Sequence, residues 1–303
     1  MVCMTSQSSI DSVPTVAVLL ATHQPKSYIE EQIQSIQAQN GVKTKIYWGD
    51  HASSEESRAY VRRLLAGSDF VEYSIPHPGP AANFFYLLSK TTEKFIAFSD
   101  QDDIWLPEKL LSQVSSLQNS DDRPGLTHSN SQLLINGKIR TKKILCTDHT
   151  FNSLIFSNCC QGCTIMINEK GRDAVLSSLP IDIVWHDWWI ALVISLVGDI
   201  IFSEKSEVLY RLHSSNLVGI PNFFHRVVNF QKNPKGLMSY QCSEALSRFG
   251  LAYASENPDM KAILNLTSPS RYIRFRASIK DGRRRIILAD EILRRFLWVL
   301  RRP

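Results

Sequence analysis

The acidic segment Asp-Gln-Asp-Asp at 100–103 has the residue types of a cation-binding site. It follows directly on the run Lys-Phe-Ile-Ala-Phe-Ser at 94–99, which has the composition of a buried strand. Three carboxylates within four positions repel one another, and a bound cation would relieve that repulsion. Proteins usually hold Mg²⁺ with one or two carboxylates, while substrate phosphates and water complete the coordination. The segment therefore predicts a Mn²⁺ or Mg²⁺ site that shares its cation with a phosphate-bearing substrate.

The local backbone decides which carboxylate has which role. Asp100 and Asp102 would point to opposite sides of an extended chain, because side chains alternate along a strand. A turn at Gln101, ahead of a helix predicted at 106–118, would let one carboxylate hold the cation while another hydrogen-bonds a sugar hydroxyl. Helix capping is the alternative role for Asp103, since aspartate is a preferred N-cap residue.

Hydrophobic periodicity predicts the elements that position this segment. Strands and helices alternate through the first 118 residues, with strands at 16–22, 43–50, 70–76 and 94–100 and helices at 26–39, 53–67, 80–90 and 106–118. This alternation predicts an α/β fold with a mostly parallel sheet flanked by helices. Ligands of such sheets bind outside the carboxyl ends of the strands, where both the acidic segment and the segment Gly-Asp-His at 49–51 lie.

The pattern from 125 to about 220 is mixed. It predicts a strand and a turn at 125–137, strands at 162–168, 199–203 and 207–213, and helices at 169–178 and 186–197. No apolar run reaches the ~18–20 residues that span a bilayer, and the first residues lack the pattern of a signal peptide. We therefore expect a cytoplasmic protein. The clustered cysteines Cys159, Cys160 and Cys163 are expected to be reduced thiols at a packed turn, with a zinc or redox site as the alternative.

Several segments together resemble glycosyltransferase family 2, the inverting enzymes of the GT-A fold. They are "VAVLLATHQPKSYIEEQIQSIQAQ", "HPGPAANFFYLL", "FSDQDDIWLPEKL", "NCCQGCTIMIN", "HDWWIALVISLVGDIIF" and "VLYRLHSSNLVG", in that order. The resemblance covers about 13–220 and is nearest to bacterial rhamnosyltransferases of surface-polysaccharide (O-antigen) assembly. It implies a flexible N-terminus at 1–14, a catalytic domain at 15–220 with a nucleotide-sugar half (15–120) and an acceptor half (121–220), and a helical C-terminal extension at 221–303.

The resemblance also implies roles for individual residues. Asp102 would ligate the metal, with Asp103 as an alternative ligand and His213 as a further one. Asp100 would contact the ribose or sugar. The other implied nucleotide-sugar contacts are Ala21, Thr22, His23, Asp50, His51, Asn83, Gln101 and Arg211, and the implied acceptor or sugar contacts are Gly162, Trp188 and Trp189.

Asp187 lies where the family places its general base. Inversion by a single displacement needs one base to remove the proton of the incoming hydroxyl, so two separate acidic sites are expected. Structural alternatives stay open for several of these residues. Asp187 could cap the helix that follows, Trp188 and Trp189 could be core residues, and Asn83 could cap a turn or helix. Arg211 and His213, on one face of a strand, could be half-buried polar residues.

Two positions depart from the family pattern. The family often has tyrosine where this chain has His23, and its second strand usually ends in paired aspartates where this chain has Asp50 and His51. Histidine can still stack on a base and hydrogen-bond its edge, depending on its tautomer. The site therefore still fits a pyrimidine.

The expected activity is transfer of L-rhamnose from a deoxythymidine diphosphate donor to a lipid-linked saccharide at the inner face of a bacterial membrane. A transferase of the same fold that uses a uridine diphosphate hexose is the second interpretation. A non-catalytic scaffold that binds nucleotide sugars is the third.

A basic tail carries the positive charge of the chain. Residues 268–303 hold eleven Lys and Arg against three Asp and Glu, a balance of +8, so the total of +5 leaves −3 for the remainder. Within it, 283–303 places apolar residues on one helical face with arginines at both ends, which favours an anionic membrane surface over nucleic acid. A helix that packs on the domain is the alternative.

We predict that deleting 283–303 abolishes binding to anionic vesicles, because both the charge and the apolar face are removed. Each basic residue near such a surface contributes about 1 kcal/mol, so binding of the full chain should weaken with salt yet persist through apolar insertion. Flotation assays at low and high salt measure both effects. Unchanged flotation of the truncated protein, or its loss of folding by circular dichroism, would contradict this interpretation.

Overall fold

The computed structural model describes residues 13–25, 27–76, 79–118, 120, 122–141, 148–154, 158–179 and 185–213. The C-terminal extension expected at 221–303, with its basic tail, lies outside the described residues, as does most of the N-terminal segment expected at 1–14.

The first half of the chain alternates strands and helices as predicted. Its elements are β1 (Thr15–Thr22), α1 (Tyr28–Gln37), β2 (Lys43–Asp50), α2 (Glu55–Leu64), β3 (Asp69–Ser74), α3 (Pro80–Leu88) and β4 (Phe95–Ser99). In β1, every residue after Thr15 is buried. Such a continuous buried run is typical of a parallel strand covered on both faces.

The second half adds antiparallel pairing to the sheet. Its elements are β5 (Ile104–Trp105), α4 (Lys109–Gln118), β6 (Gly125–Ile135), β7 (Lys138–Thr141), α5 (Phe151–Leu154), a 3₁₀ turn (Gly162–Thr164), β8 (Met166–Asn168), α6 (Glu169–Leu176), α7 (His186–Val197) and β9 (Asp199–Leu212). The strand predicted at 162–168 is shorter because residues 162–164 form that turn.

One mixed sheet of nine strands holds the two halves together. Its order is β3-β2-β1-β4-β8-β6-β9-β5, with β7 paired to the end of β6. The strands β3, β2, β1 and β4 are mutually parallel, so their carboxyl ends meet at one edge. β8 runs antiparallel to β4, and β5 runs antiparallel to β9. The α/β prediction is confirmed.

β9 corrects one predicted boundary. We expected two strands, at 199–203 and 207–213, separated by the polar residues 204–206. The structure has one strand of 14 residues, because register shifts on its partner β6 between Ser129 and Ser131 absorb the irregularity. β9 therefore runs without a break from the end of α7 to His213.

Two apolar clusters cover the sheet, one on each face. One joins the sheet to α3 and α7 and the other joins it to α1, α2 and α4. α7 is apolar on most sides, with residues 188–194 all buried. In the part of the chain that the structure describes, no helix is both long and apolar enough to cross a membrane.

Candidate active site

The acidic segment turns where β4 ends, as the sequence required. Residues 101–102 form a bend, and β5 then pairs antiparallel with β9 around Leu209. Asp103 is fully buried, and its Oδ1 accepts a hydrogen bond from the backbone N–H of Arg211 at 3.0 Å. Its proposed role as a helix cap is wrong, because α4 begins six residues later, at Lys109. Through this hydrogen bond, Asp103 instead connects the acidic segment to β9.

Asp102 and His213 form a half-buried polar pair in this region. The Oδ2 atom of Asp102 lies 2.8 Å from Nε2 of His213. The two residues are 111 positions apart in sequence, and the β5–β9 pairing brings them together. Both are potential ligands of a divalent cation.

Arg211 supports the pair of Asp102 and His213 through contacts with their neighbours. Its Nε donates to the backbone oxygen of Asp102 at 2.9 Å, and its guanidinium pairs with Glu31 at 3.0 Å. The guanidinium also lies 4.5 Å from the centre of the Tyr28 ring, and that ring stacks with His213 at 5.2 Å. The described contacts of Arg211 are thus with Asp102, Glu31 and Tyr28, and its expected contact with a diphosphate stays a prediction.

Negative charge is concentrated at this edge of the sheet. Burial raises the pKa of Asp100 well above its ordinary value, and the nearby charges of Asp103, Asp102 and Asp187 raise it further. Burial also raises the pKa of Asp103, and the charge of Asp102 adds to the effect. These shifts mean that adding one more positive charge would stabilise the ionised carboxylates.

Asp187 is the second acidic site and lies in the first turn of α7. Its Oδ2 accepts a hydrogen bond from the N–H of Gly162 at 3.1 Å, and its Oδ1 accepts one from the N–H of Trp188 at 2.7 Å. Burial raises its pKa to about 6, against the lowering effect of these hydrogen bonds. The helix begins at His186, with Trp185 as its N-cap, so the capping alternative is wrong for Asp187. A carboxyl group with this pKa can act as a base near neutral pH.

Gly162 is required by the protein's own packing. A Cβ atom there would lie 2.8 Å from Nε2 of the buried His186 side chain. The His186 ring in turn packs 4.1 Å from the Phe84 ring, and burial lowers the pKa of His186 to about 3. This close contact holds the start of α7 against the 3₁₀ turn, and the expected role of Gly162 in admitting substrate stays a prediction.

The two tryptophans of α7 are core residues. Trp189 is 0% exposed and Trp188 is 7% exposed. The indole N–H of Trp188 donates to the backbone oxygen of Leu154 at 2.7 Å. Stacking on a sugar needs an accessible ring face, so the core alternative is correct for Trp189 and favoured for Trp188.

At the ends of β1 and β2, His23 and His51 lie side by side. Their rings stack at 5.7 Å between centroids and 29° between planes. Gln101 from the acidic segment holds the backbone of His23 through two hydrogen bonds, from the His23 N–H at 2.9 Å and to the His23 oxygen at 3.2 Å. The His23 side chain is exposed and the His51 side chain is half-buried. Gln101 therefore links His23, and through it the neighbouring His51 ring, to the acidic segment.

Four other expected nucleotide contacts face the interior. Asp50 is 3% exposed, and it accepts hydrogen bonds from the Thr22 and Ser53 hydroxyls at 2.7 and 2.6 Å. Asn83 is also 3% exposed, and its Nδ2 donates to the Gly49 oxygen at 2.9 Å. The remaining one, Ala21, is buried at the end of β1. The side chains of Thr22, Asp50 and Asn83 thus hydrogen-bond to the protein's own atoms, and their contact with a nucleotide sugar stays a prediction.

The acidic edge fits a cation that the protein holds with few ligands. Within the described stretches of chain, no three His, Cys, Asp or Glu side chains are placed as a complete metal cluster. Asp102 and His213 supply two donors, and the second oxygen of Asp103, Oδ2, is buried without a nitrogen or oxygen partner. Two protein ligands completed by phosphate oxygens and water match the chemistry of Mg²⁺ and Mn²⁺.

Tyr28 and Glu31 are structural parts of the site that sequence reasoning missed. They lie three residues apart on α1, off the stripe formed by Ile29, Ile33 and Ile36. A tyrosine beside an apolar stripe, in the first turn after β1, is the signal that could have identified the first of them.

A buried lysine was also missed. Lys109 is 0% exposed, donates to Gln113 at 2.9 Å and lies 3.9 Å from the Trp105 ring. Gln113 in turn donates to the backbone oxygen of Thr164 at 2.6 Å. This chain of contacts ties the acidic segment to the 3₁₀ turn that holds Asp187, and nothing in the local sequence distinguishes Lys109 from a surface lysine.

The cysteine cluster is only partly as expected. Cys160 and Cys163 are buried free thiols, whereas Cys159 is disulfide-bonded. The expectation of reduced thiols is therefore wrong at Cys159.

Comparison with known proteins finds similarity to sugar transferases. Residues 17–124 match the family model "Glycosyl transferase family 2". RfbG, a dTDP-rhamnosyl transferase of Shigella flexneri, is 24% identical over 215 residues, which cover 66% of this chain and 73% of the relative.

Solved structures confirm the GT-A architecture. S. aureus TarS 1–349 in complex with UDP-GlcNAc has a TM-score of 0.56 at 15% identity, over 94% of this chain and 90% of that chain. The mannosyltransferase PcManGT from Pyrobaculum calidifontis, in complex with GDP-Man and Mn²⁺, has a TM-score of 0.55 at 14% identity, over 96% and 88%. The chain spans about half, 54%, of a longer TarS structure. At these identities the likeness establishes the fold alone.

We predict that replacing Asp187 changes the pH dependence of stability. The pKa of its carboxyl rises from 3.8 to about 6 on folding, so the folded state binds this proton more tightly and wild-type stability falls as pH rises between those values. The variant Asp187→Asn has no such proton. Its unfolding free energy relative to wild type should therefore improve by about 2 kcal/mol between pH 4 and pH 7.

Urea unfolding at several pH values measures this difference. Asp69→Asn, at an exposed position on the edge strand β3, is the matched control. The same pH dependence in both variants would contradict the shifted pKa of Asp187.

Proposed function

We propose that the protein is a metal-dependent inverting glycosyltransferase, a proposal supported by the match of residues 17–124 to the model of glycosyl transferase family 2. It transfers L-rhamnose from dTDP-L-rhamnose to a lipid-linked saccharide in the synthesis of a bacterial cell-surface polysaccharide, the O-antigen. The observation that carries the proposal is the pairing of two acidic sites at the carboxyl edge of the parallel strands. Asp102 with His213 forms one and Asp187 forms the other, while burial and the nearby charges of Asp103, Asp102 and Asp187 raise the pKa of Asp100.

The two sites suit the two parts of a single displacement, which are departure of the diphosphate and attack by the acceptor hydroxyl. The donor diphosphate lies at the Asp102 side and the acceptor hydroxyl lies at the Asp187 side, with the transferred sugar near Asp100. Asp187 removes the proton from the acceptor hydroxyl as the oxygen attacks the anomeric carbon and the diphosphate departs. The hydrogen bonds from Gly162 and Trp188 fix the carboxylate in place for this step.

Asp102 and His213 would hold the cation. The negative charge of the buried Asp103 next to them would add to the attraction for it. When bound, Mn²⁺ or Mg²⁺ neutralises the negative charge that develops on the departing diphosphate. Arg211 and Tyr28 keep His213 beside Asp102, since one contacts the backbone of Asp102 and the other stacks on the histidine ring. The Mn²⁺ bound by the mannosyltransferase of the same fold is consistent with this role.

The donor sugar is the finer part of the proposal. The rhamnosyl transferase of Shigella flexneri supports dTDP-L-rhamnose. A UDP-hexose donor is the alternative, supported by the complex of TarS with UDP-GlcNAc. A non-catalytic scaffold would not need a positioned base with a pKa near 6, so Asp187 favours an enzyme.

The acceptor is proposed to be presented at a membrane. The basic segment 283–303 supplies both charge and apolar residues for a peripheral location on the anionic inner face of the cytoplasmic membrane. This location would bring the protein to a lipid-linked saccharide.

The metal role predicts that Asp102→Ala abolishes transfer. Removing the carboxylate takes away one of the two protein donors, so Mn²⁺ affinity should fall by at least tenfold. Isothermal titration with Mn²⁺ in the presence of dTDP, together with a transfer assay before and after EDTA, measures both effects. Asp122→Ala, which removes an exposed carboxylate, is the control. Wild-type transfer in EDTA would refute metal dependence.

The base role predicts that Asp187→Asn separates binding from chemistry. A positioned base contributes roughly 10²–10⁴ in rate, so kcat should fall by that factor while the Kd for the donor nucleotide stays within about threefold. The rate of the wild-type enzyme should fall below pH 6, where the carboxylate becomes protonated. Equal losses in donor binding and kcat would instead make Asp187 a binding residue.

A further inference from the structure

We infer that Lys109 and Glu207 form a buried charge pair that controls how tightly the acidic segment holds its divalent cation. Lys109 opposes binding of the cation and Glu207 favours it, so the pair sets how strongly cation binding depends on the diphosphate of the donor. The inference rests on the proposed function and assigns two positioning residues to the same site. Both act from within the core through their charges.

Lys109 and Glu207 are charged residues without access to water. Lys109 is the first residue of α4 and is 0% exposed, and Glu207 lies in β9 and is 4% exposed. Both carboxylate oxygens of Glu207 are buried and have no hydrogen-bond partner among the described residues. A buried charge is costly unless an opposite charge compensates it, so Glu207 needs a positive neighbour.

The ammonium group of Lys109 supplies that positive charge. Burial lowers the pKa of Lys109 to about 8, and the charge of Glu207 is the strongest of the effects that oppose this fall. Lys109 therefore keeps its proton at pH 7. The pairing of β5 with β9 brings the two residues together, since the backbone oxygen of Glu207 accepts a hydrogen bond at 2.9 Å from the N–H of Leu106, three residues before Lys109.

Lys109 also acts on the acidic segment. Its ammonium group lies 3.9 Å from the centre of the Trp105 ring, and Trp105 follows Asp103 by two positions. The charge of Asp103 is among those that raise the pKa of Lys109, so the two groups attract each other. A positive charge that attracts the carboxylates of this segment repels a cation bound to them.

The charge of Lys109 therefore replaces part of the charge that a cation would supply. It reduces the repulsion among the carboxylates when no cation is bound, and it makes them less attractive to a free cation. A cation that arrives with a nucleotide diphosphate is coordinated by the phosphates as well, and their negative charge offsets the repulsion by Lys109. The pair thus favours binding of the cation together with the nucleotide.

Two charge variants with opposite expected effects test the inference. Lys109→Met removes the positive charge at similar volume, so Mn²⁺ should bind at least about threefold more tightly without nucleotide. Glu207→Gln leaves the charge of Lys109 uncompensated at similar shape, so Mn²⁺ should bind at least about threefold more weakly. Isothermal titration with Mn²⁺ at pH 7 measures both Kd values, and circular dichroism shows whether each variant is folded.

The dependence on nucleotide gives a second measurement. In wild type, the Kd for Mn²⁺ should be at least about tenfold lower with dTDP present than without it. This ratio should be smaller in Lys109→Met, because the free cation then meets less repulsion.

Gln113→Leu is the matched control. It disrupts the same chain of contacts without changing a charge, since Gln113 accepts a hydrogen bond from Lys109 and donates one to Thr164. We expect its Mn²⁺ affinity to stay within about twofold of wild type, because the electrostatic field at the carboxylates is unchanged.

The outcomes separate the inference from the proposed function. Shifts of Mn²⁺ affinity in the same direction in Lys109→Met and Glu207→Gln, or no shift in either, overturn the role of the pair. An equally large shift in Gln113→Leu, or a wild-type Kd for Mn²⁺ that dTDP does not change, also overturns it. If Lys109→Met does not fold, the direction of the shift in Glu207→Gln decides alone. Failure of wild type to bind Mn²⁺ with or without dTDP instead overturns the metal dependence of the proposed function.

Discussion

Repulsion between carboxylates at one edge of the sheet is the constraint on which the rest of the structure depends. Asp100, Asp102, Asp103 and Asp187 come from two distant parts of the chain and meet where parallel strands end. Bringing them together raises the energy of the folded state, so the surrounding structure must hold them in place by other contacts. Hydrogen bonds from backbone N–H groups to Asp103 and Asp187 do this without adding a neutralising charge. The site thus keeps its attraction for a cation.

The two acidic sites are supported by different kinds of structure. Asp187 sits at the start of α7, whose next seven residues are all buried, so its position is fixed by the core. Asp102 lies on a bend and depends on side chains from α1 and β9, through Tyr28, Arg211 and Glu31. Gln113 connects the two supports by reaching from α4 to Thr164. This difference in support suits the two roles. The core holds the base in a fixed position, whereas the side chains around Asp102 let the metal ligand adjust to its substrate.

Much of the fold was predictable because the strands of the first half are buried on both faces and the helices between them have a clear apolar stripe. The turn at Gln101 was predictable too, since two alternating carboxylates could not otherwise share a site. The direction in which the polar side chains point was not predictable. Asp50 and Asn83 occupy strand and helix positions next to the site, and only the tertiary contacts with Thr22 and Gly49 show that they face inward. The same limit applies to Lys109, whose burial depends on Trp105 and Gln113.

The unbroken course of β9 has an evolutionary consequence. The strand links the end of α7 to His213, so one element carries the chain from the helix of the base to the cation site. Inserting or deleting one residue near the end of β9 would turn each later side chain to the opposite face of the sheet. Arg211 and His213 would then point away from Tyr28, although neither had been replaced. Length changes should therefore accumulate in relatives near 204–206, opposite the register shifts of β6, where an odd residue has already been accommodated.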